Sequence, residues 1–354
     1  LSTSIYGTAF ATVSGILQDG TVVDDVHKHF GLNESSNTGI TIENNGSWID
    51  EDEGIYNPGD EVMGGTALSI FKEITVNINE SSTNLRQNGL YLADFDLDAP
   101  RTNFTVNIGT KDVPLNKENA HGIFLNNDDG ERTTYLAIGN YTANIYALNS
   151  NAFTIDNSLV KDVNAKINDF TATVSNGNGI KASASYLRDV RSQVSVAGDT
   201  KITINADKVI ANTQEHGNDG LGFNFDSEIE YNPAAVYAGD VTSNFHWNGA
   251  NVEIDENPVN GFAAGDYGYE TKGQAVVNLD GNVDITTNGE NNYGIYSGKN
   301  GIINLNANKT NLKLTATGKN SIGIAAINSN LIYNDEMTIH IYYESFGIDE
   351  MVDI

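Results

Sequence analysis

The sequence contains no cysteine, and only 5 prolines and 19 basic residues against 47 acidic ones in 354 residues. Without cysteine, disulfides, thiolate nucleophiles and cysteine-held metal sites are excluded. The shortage of basic residues excludes nucleic acid as a partner, because phosphate binding needs clustered Lys and Arg. Arginine is confined to Arg86, Arg101, Arg132, Arg188 and Arg191. A formal net charge of −28 likewise disfavours anionic lipid surfaces. No run approaches the ~18 apolar residues of a membrane span, so no membrane insertion of this segment is expected. A small secreted domain would miss its disulfides, but a long stack with its own continuous core does not need them.

What the chain does have is glycine, 35 in all, and enough apolar residues, 39%, to bury a core. Many of the glycines open a recurring motif of glycine, an aliphatic or aromatic residue, then an aromatic or small one. It occurs at Gly54-Ile55-Tyr56, Gly89-Leu90-Tyr91, Gly122-Ile123-Phe124, Gly179-Ile180, Gly222-Phe223, Gly261-Phe262-Ala263, Gly294-Ile295-Tyr296 and Gly323-Ile324-Ala325. The intervals are 35, 33, 57, 43, 39, 33 and 29 residues. The short ones match a single winding of a chain, and the long ones a winding with insertions or an unmarked extra turn. Tyr146-Ala147 marks a candidate for the turn hidden in the interval of 57.

After Gly294 the residues divide into three short runs, "GIYS", "GIINLNA" and "NLKLTAT", each alternating apolar with polar residues. Ile303, Leu305 and Ala307 share one side of a strand, as do Leu312, Leu314 and Ala316. Between the runs lie "SGKN", "ANKT" and "TGKNS", which are turn chemistry. Only "NSLVKDVNAKI" from Asn157 allows a short helix. Three short strands per winding predict an all-β, right-handed parallel β-helix. Its inward side chains form one column and its outward ones form ladders. Glycine admits a tight corner that a Cβ would obstruct, and Asn tolerates left-handed corners. The expected organisation is an N-terminal cap over residues 1–65, then a β-helix over 66–354 with loop insertions around 214–272.

The stretch from Asn292 to Ser329, "NYGIYSGKNGIINLNANKTNLKLTATGKNSIGIAAINS", with weaker copies back to Gly54, resembles the passenger domain of a Gram-negative autotransporter of the pertactin-like or self-associating adhesin type. The resemblance implies a cell-surface adhesin: secreted, non-enzymatic, anchored in the outer membrane through a translocator absent from this chain. Its expected partners are host or bacterial surface glycans or proteins, or a second copy of itself. The expected consequences are cell-cell aggregation, biofilm formation and virulence. The alternative of a different class is a β-helical polysaccharide-degrading enzyme, a lyase, glycoside hydrolase or tailspike. Asp128, Asp129 and His216 are thinly similar to the acids and His-Gly of polygalacturonases, but their Arg-x-Lys element is missing, as are serine-hydrolase signatures.

Three further patterns bear on chemistry. Asp94, Asp96 and Asp98 in "DFDLDAP" place carboxylates at alternate residues, a hard-oxygen pattern suited to calcium, although Ala99 and Thr105 stand where an EF-hand needs Gly and an acid. "DEDEG" at Asp50 to Gly54 is a second acidic run. His27 and His29 in "DDVHKH" would face one way on a strand and hold a metal with a neighbouring carboxylate. The longest departure from the repeat, Leu221 to Lys272, is rich in aromatic rings and carboxylates. Solenoid insertions emerge on one side and often bind. The expected ligand-binding residues there are His246, Trp247, Asp266, Tyr267, Tyr269 and Glu270, with rings to stack on sugars and carboxylates to accept hydroxyl hydrogen bonds.

Overall fold

A computed structural model describes residues 11–30, 39–43, 47–50, 54–56, 68–81, 87–127, 133–157, 161–184, 190–205, 209–211, 229–231, 233–239, 245–247, 274–298, 301–305, 311–326, 330–333, 338–345 and 348–353. Alternation sets the local structure. In Asn103–Ile108 the residues Phe104, Val106 and Ile108 are buried, while Asn103, Thr105 and Asn107 are partly exposed. Such a strand buries one side only, so it needs neighbours above, below and across.

Three long sheets, of 11, 10 and 7 strands, supply those neighbours. The chain visits them in rotation. Asn103–Ile108 belongs to the first sheet, Ile123–Asn126 to the second and Thr134–Ile138 to the third, before Tyr141–Ile145 returns to the first. On return it pairs parallel with the strand it left, Phe104 opposite Tyr141 and Ile108 opposite Ile145. The architecture is therefore an all-β solenoid of parallel sheets. Its core is the set of inward columns: Ile74, Phe104, Tyr141 and Phe170 in the first sheet, and Ile40, Leu90, Ile123, Phe153 and Ile180 in the second. Each fully buried side chain of this kind contributes about 1.5–3 kcal/mol.

Antiparallel strands adjoin the parallel stacks. Ala11–Leu17 lies on Phe71–Ile78, and Ile348–Asp353 lies on Thr338–Ser345. Ile40–Glu43 already pairs parallel with Leu90–Ala93, so the stacking reaches back into the first 65 residues.

The motif glycines form a column, and the structure changes the reason for them. Gly89, Gly122, Gly179 and Gly294 do not have left-handed backbones; instead the next winding's carbonyl stands where a side chain would go. A Cβ on Gly89 would lie 2.6 Å from the Gly122 oxygen, and one on Gly294 2.5 Å from the Gly323 oxygen. Left-handed corners fall elsewhere, at Asp94, Asn119, Asn149, Asn291 and Asn320, largely the residue type expected there, and at glycines outside the motif such as Gly20 and Gly109.

Several motif assignments are corrected. Gly54-Ile55-Tyr56 is an antiparallel strand on Ser47–Asp50, and the winding corner is Gly39-Ile40. The turn hidden in the interval of 57 exists, but its corner is Ala152-Phe153, whereas Ala147–Leu148 pairs with Leu115–Glu118. Val163–Ile167, at the end of the segment that allowed a helix, is a strand. Val26–His29, read as a strand, is one helical turn capped by Asp25, so His27 and His29 do not share a side. His27 is buried and His29 packs edge-on against Phe30 and Phe71.

Candidate functional site

Among the described residues one winding is longer than all others, including the one from Ile40 to Leu90 that carries the antiparallel strands Ser47–Asp50 and Gly54–Tyr56. Between successive windings the hydrogen-bonded side chains are typically about 30 residues apart, as with Asn107 and Asn77, |i−j| = 30. Asn288 and Asn205 are also in direct contact, yet 83 residues separate them. The extra chain enters at two points: before Ala234–Gly239, which joins the second sheet, and between it and Gln274–Leu279, which joins the third. Both insertions contribute to one small antiparallel sheet. Val209–Ala211 and Ile229–Tyr231 come from the first, Phe245–Trp247 from the second. Its register opposes Trp247 to Ile229, His246 to Glu230 and Phe245 to Tyr231.

Of the residues expected to bind a ligand, His246 and Trp247 are consecutive positions on the outer strand of this sheet. Asp266, Tyr267, Tyr269 and Glu270 lie outside the described residues, as do Asp128, Asp129, His216, Gly222 and Gly261. The winding's corner is Ala235-Val236-Tyr237, in register with Gly294-Ile295-Tyr296. Tyr237, one of the aromatic residues of the departing stretch, belongs to the scaffold: it is fully buried and stacks on Tyr296 at 5.5 Å between ring centroids. Burial raises the Tyr296 hydroxyl pKa, with the Tyr293 phenol adding to the effect.

The three candidate calcium ligands are not brought together. Asp94 is buried at a left-handed corner, where its Oδ1 accepts a 2.6 Å hydrogen bond from Asn127 Nδ2. Asp96 and Asp98 lie on the exposed side of Asp96–Ala99, with Leu97 and Ala99 turned inward. Among the described residues no group of three or more acidic or imidazole side chains is placed to hold a metal ion.

Sequence reasoning did not single out two ladders at the corners. In one, the Asn88 Oδ1 accepts from His121 N (2.8 Å), the His121 Nδ1 from Asn151 N (2.9 Å), the Asn151 Oδ1 from Asn178 N (2.8 Å) and the Asn178 Oδ1 from Ala234 N (2.8 Å). His121 fills an asparagine's place, with its ring stacked on Phe124. In the other, Asn103, Asp169 and Asp199 accept in the same way from the backbone of Asn140, Asp199 and Asn282. The signal was there as Asn and Asp one winding apart, hidden by unequal intervals.

The outer side of the first sheet carries two regular columns. One runs Thr75, Thr105, Thr142, Thr171, Lys201, Asp284, Lys313; the other Asn77, Asn107, Asn144, Thr173, Thr203, Thr286, Thr315. Asn107 Nδ2 donates to Asn77 Oδ1 and Asn144 Nδ2 to Asn107 Oδ1, each at 2.8 Å.

Comparison with protein-family models, with curated proteins and with solved structures finds no match to this chain.

Proposed function

We propose that the chain is the adhesive passenger of a bacterial cell-surface autotransporter, a right-handed β-helix with three short strands per winding that binds without catalysis. The observation that carries this reading is the winding of 83 residues, whose two insertions meet in one small sheet beside the parallel stacks. A rigid solenoid bearing one elaborated winding suits a protein that presents a binding patch away from a surface. The high acidic charge and lack of cysteine fit a chain exported unfolded and folded outside the cell. The ligand is a host or bacterial surface glycan or protein, held by Trp247, His246, Asp266, Tyr267, Tyr269 and Glu270, with pairing of two copies as a further mode of cell-cell contact.

The test is to display the chain on cells and score aggregation, biofilm mass and binding to a glycan and matrix-protein panel, with and without calcium. Cells displaying it should aggregate or bind a panel member better than cells without it. Replacing Trp247, Tyr267 and Tyr269 together by Ala should weaken a ligand signal by about 2 kcal/mol or more, roughly thirtyfold, the scale of aromatic anchors. Adhesion is wrong if displaying cells neither aggregate nor bind anything on the panel.

A further inference from the structure

We infer that the outer side of the first sheet is a second binding face, built for a neutral, hydroxyl-rich polysaccharide lying in extended form along the solenoid axis. The starting observation is one of charge. In a chain with a net charge of −28, the columns Thr75 to Thr171 and Asn77 to Thr315 carry no formal charge at all. The first column continues with Lys201, Asp284 and Lys313, of which Asp284 and Lys313 pair at 3.5 Å. Glu73 stands on the same side two residues before Thr75, and the third sheet likewise exposes Asp96, Asp98, Lys166 and Arg191, so the neutrality belongs to the two columns and not to a whole sheet. On the second sheet the corresponding column runs Tyr91, Phe124, Thr154, Lys181, Tyr237 and Tyr296, of which only Phe124 and Lys181 are partly exposed. The two columns of the first sheet are mostly partly exposed, with Thr171, Lys201 and Lys313 exposed.

The chemistry narrows the occupant. A Thr hydroxyl and an Asn amide each both donate and accept, the same pattern that a sugar hydroxyl offers. Anionic polymers only accept at their charged groups; they demand Arg and Lys and meet the repulsion of the whole molecule. Neither column contains an aromatic or large aliphatic anchor from Phe71–Ile78 to Asn311–Thr317, although Tyr342 follows Thr315 in register on the next strand, so contact along these strands rests on hydrogen bonds. The hydroxyls of Thr75, Thr105, Thr142 and Thr171 make no side-chain hydrogen bond to another described residue, so their donors are available. The Asn77, Asn107 and Asn144 amides are fixed by one another yet each keeps bonding capacity, so less side-chain entropy is lost on binding. Strand spacing of about 4.8 Å along the axis, and of about 6.7 Å between alternate residues, repeats the same donors at every winding. A polymer with its own repeat engages several at once, and weak contacts then add.

This face adds a second site to the adhesive reading and uses none of the inserted residues, so the two ideas fail separately. The test is calorimetric titration of the full chain with neutral hexaoses of β-linked glucose, xylose and mannose, and with polygalacturonate as the anionic control. At least one neutral oligosaccharide should bind, with affinity nearly independent of salt, and polygalacturonate should not. Thr142→Glu and, as a second variant of opposite sign, Thr142→Lys should each weaken that binding about tenfold or more while the circular dichroism stays unchanged, and Trp247→Ala should leave it as it was. The inference is overturned if no neutral oligosaccharide binds, if binding survives both charged variants, or if those variants alter only self-association in sedimentation.

Discussion

His121 shows how much of this fold is decided by single hydrogen bonds. Its Nδ1 accepts from the Asn151 backbone where neighbouring windings use an Asn side chain. His121→Asn should therefore change stability by less than about 0.5 kcal/mol, while His121→Leu leaves a buried N–H without an acceptor and should cost about 1–3 kcal/mol in denaturant titrations. Tyr141 is the other sensitive residue. It is fully buried, its hydroxyl donates to the Ala152 carbonyl at 2.7 Å, and burial raises its pKa well above the ordinary value. The folded state thus holds this proton more tightly than the unfolded state. Its contribution to stability is complete below the unfolded tyrosine pKa of about 10 and falls as pH rises above it. Tyr141→Phe should cost about 1 kcal/mol at neutral pH and flatten the loss of stability on the alkaline side, read from unfolding curves at stepped pH.

At the scale of elements, the insertions of the long winding are detachable additions, whereas its strand Ala234–Gly239 belongs to the stack. Thr200–Ile204 pairs directly with Val283–Asn288, and Arg191–Val196 with Gln274–Leu279, so the stack closes across the insertions. Shortening the connection between Gly239 and Gln274 to a Gly/Ser linker long enough to span it should leave the strand signal in circular dichroism and shift Tm by only a few degrees, since loop length enters stability logarithmically. The same variant should abolish binding through the small sheet that holds Trp247. Loss of fold on this deletion would mean that the inserted strands are structural. The corner ladders belong to this scale too: Asn140 is reached by the Asn168 amide at 2.7 Å, as Asp199 is by the Asn282 amide at 3.1 Å. Such contacts tie each winding to the next without contributing to any one strand.

Taken whole, the molecule is quasi-one-dimensional, each winding touching mainly the one before and the one after. Phe153, fully buried, stands in register with Ile123 on one side and Ile180 on the other. Phe153→Ala should cost about 3–5 kcal/mol locally. Hydrogen exchange should show lost protection over Ile123–Asn126, Phe153–Asn157 and Ile180–Ala184, with Val283–Asn288 and Asn311–Thr317 still protected. A uniform loss across all three sheets would mean instead that the solenoid unfolds as a single unit.

The sequence by itself determined the class of structure. Alternation in "NFTVNI" and "GIINLNA" is a local property, fixed by which side of a strand meets water, and it predicts strands whose apolar sides must stack. Asn at left-handed corners is likewise a local demand, whereas glycine under the next winding's carbonyl answers a tertiary contact that recurs at every winding, so both leave a mark on composition. Tertiary structure alone decided which residues are neighbours. Parallel pairing is set by where the chain returns, and a return after 83 residues makes the same hydrogen bonds as one after 30. That is why Gly54 copies a corner without being one, why Ala152 is a corner without the glycine, and why Tyr237 is scaffold while Trp247 lies on the inserted sheet.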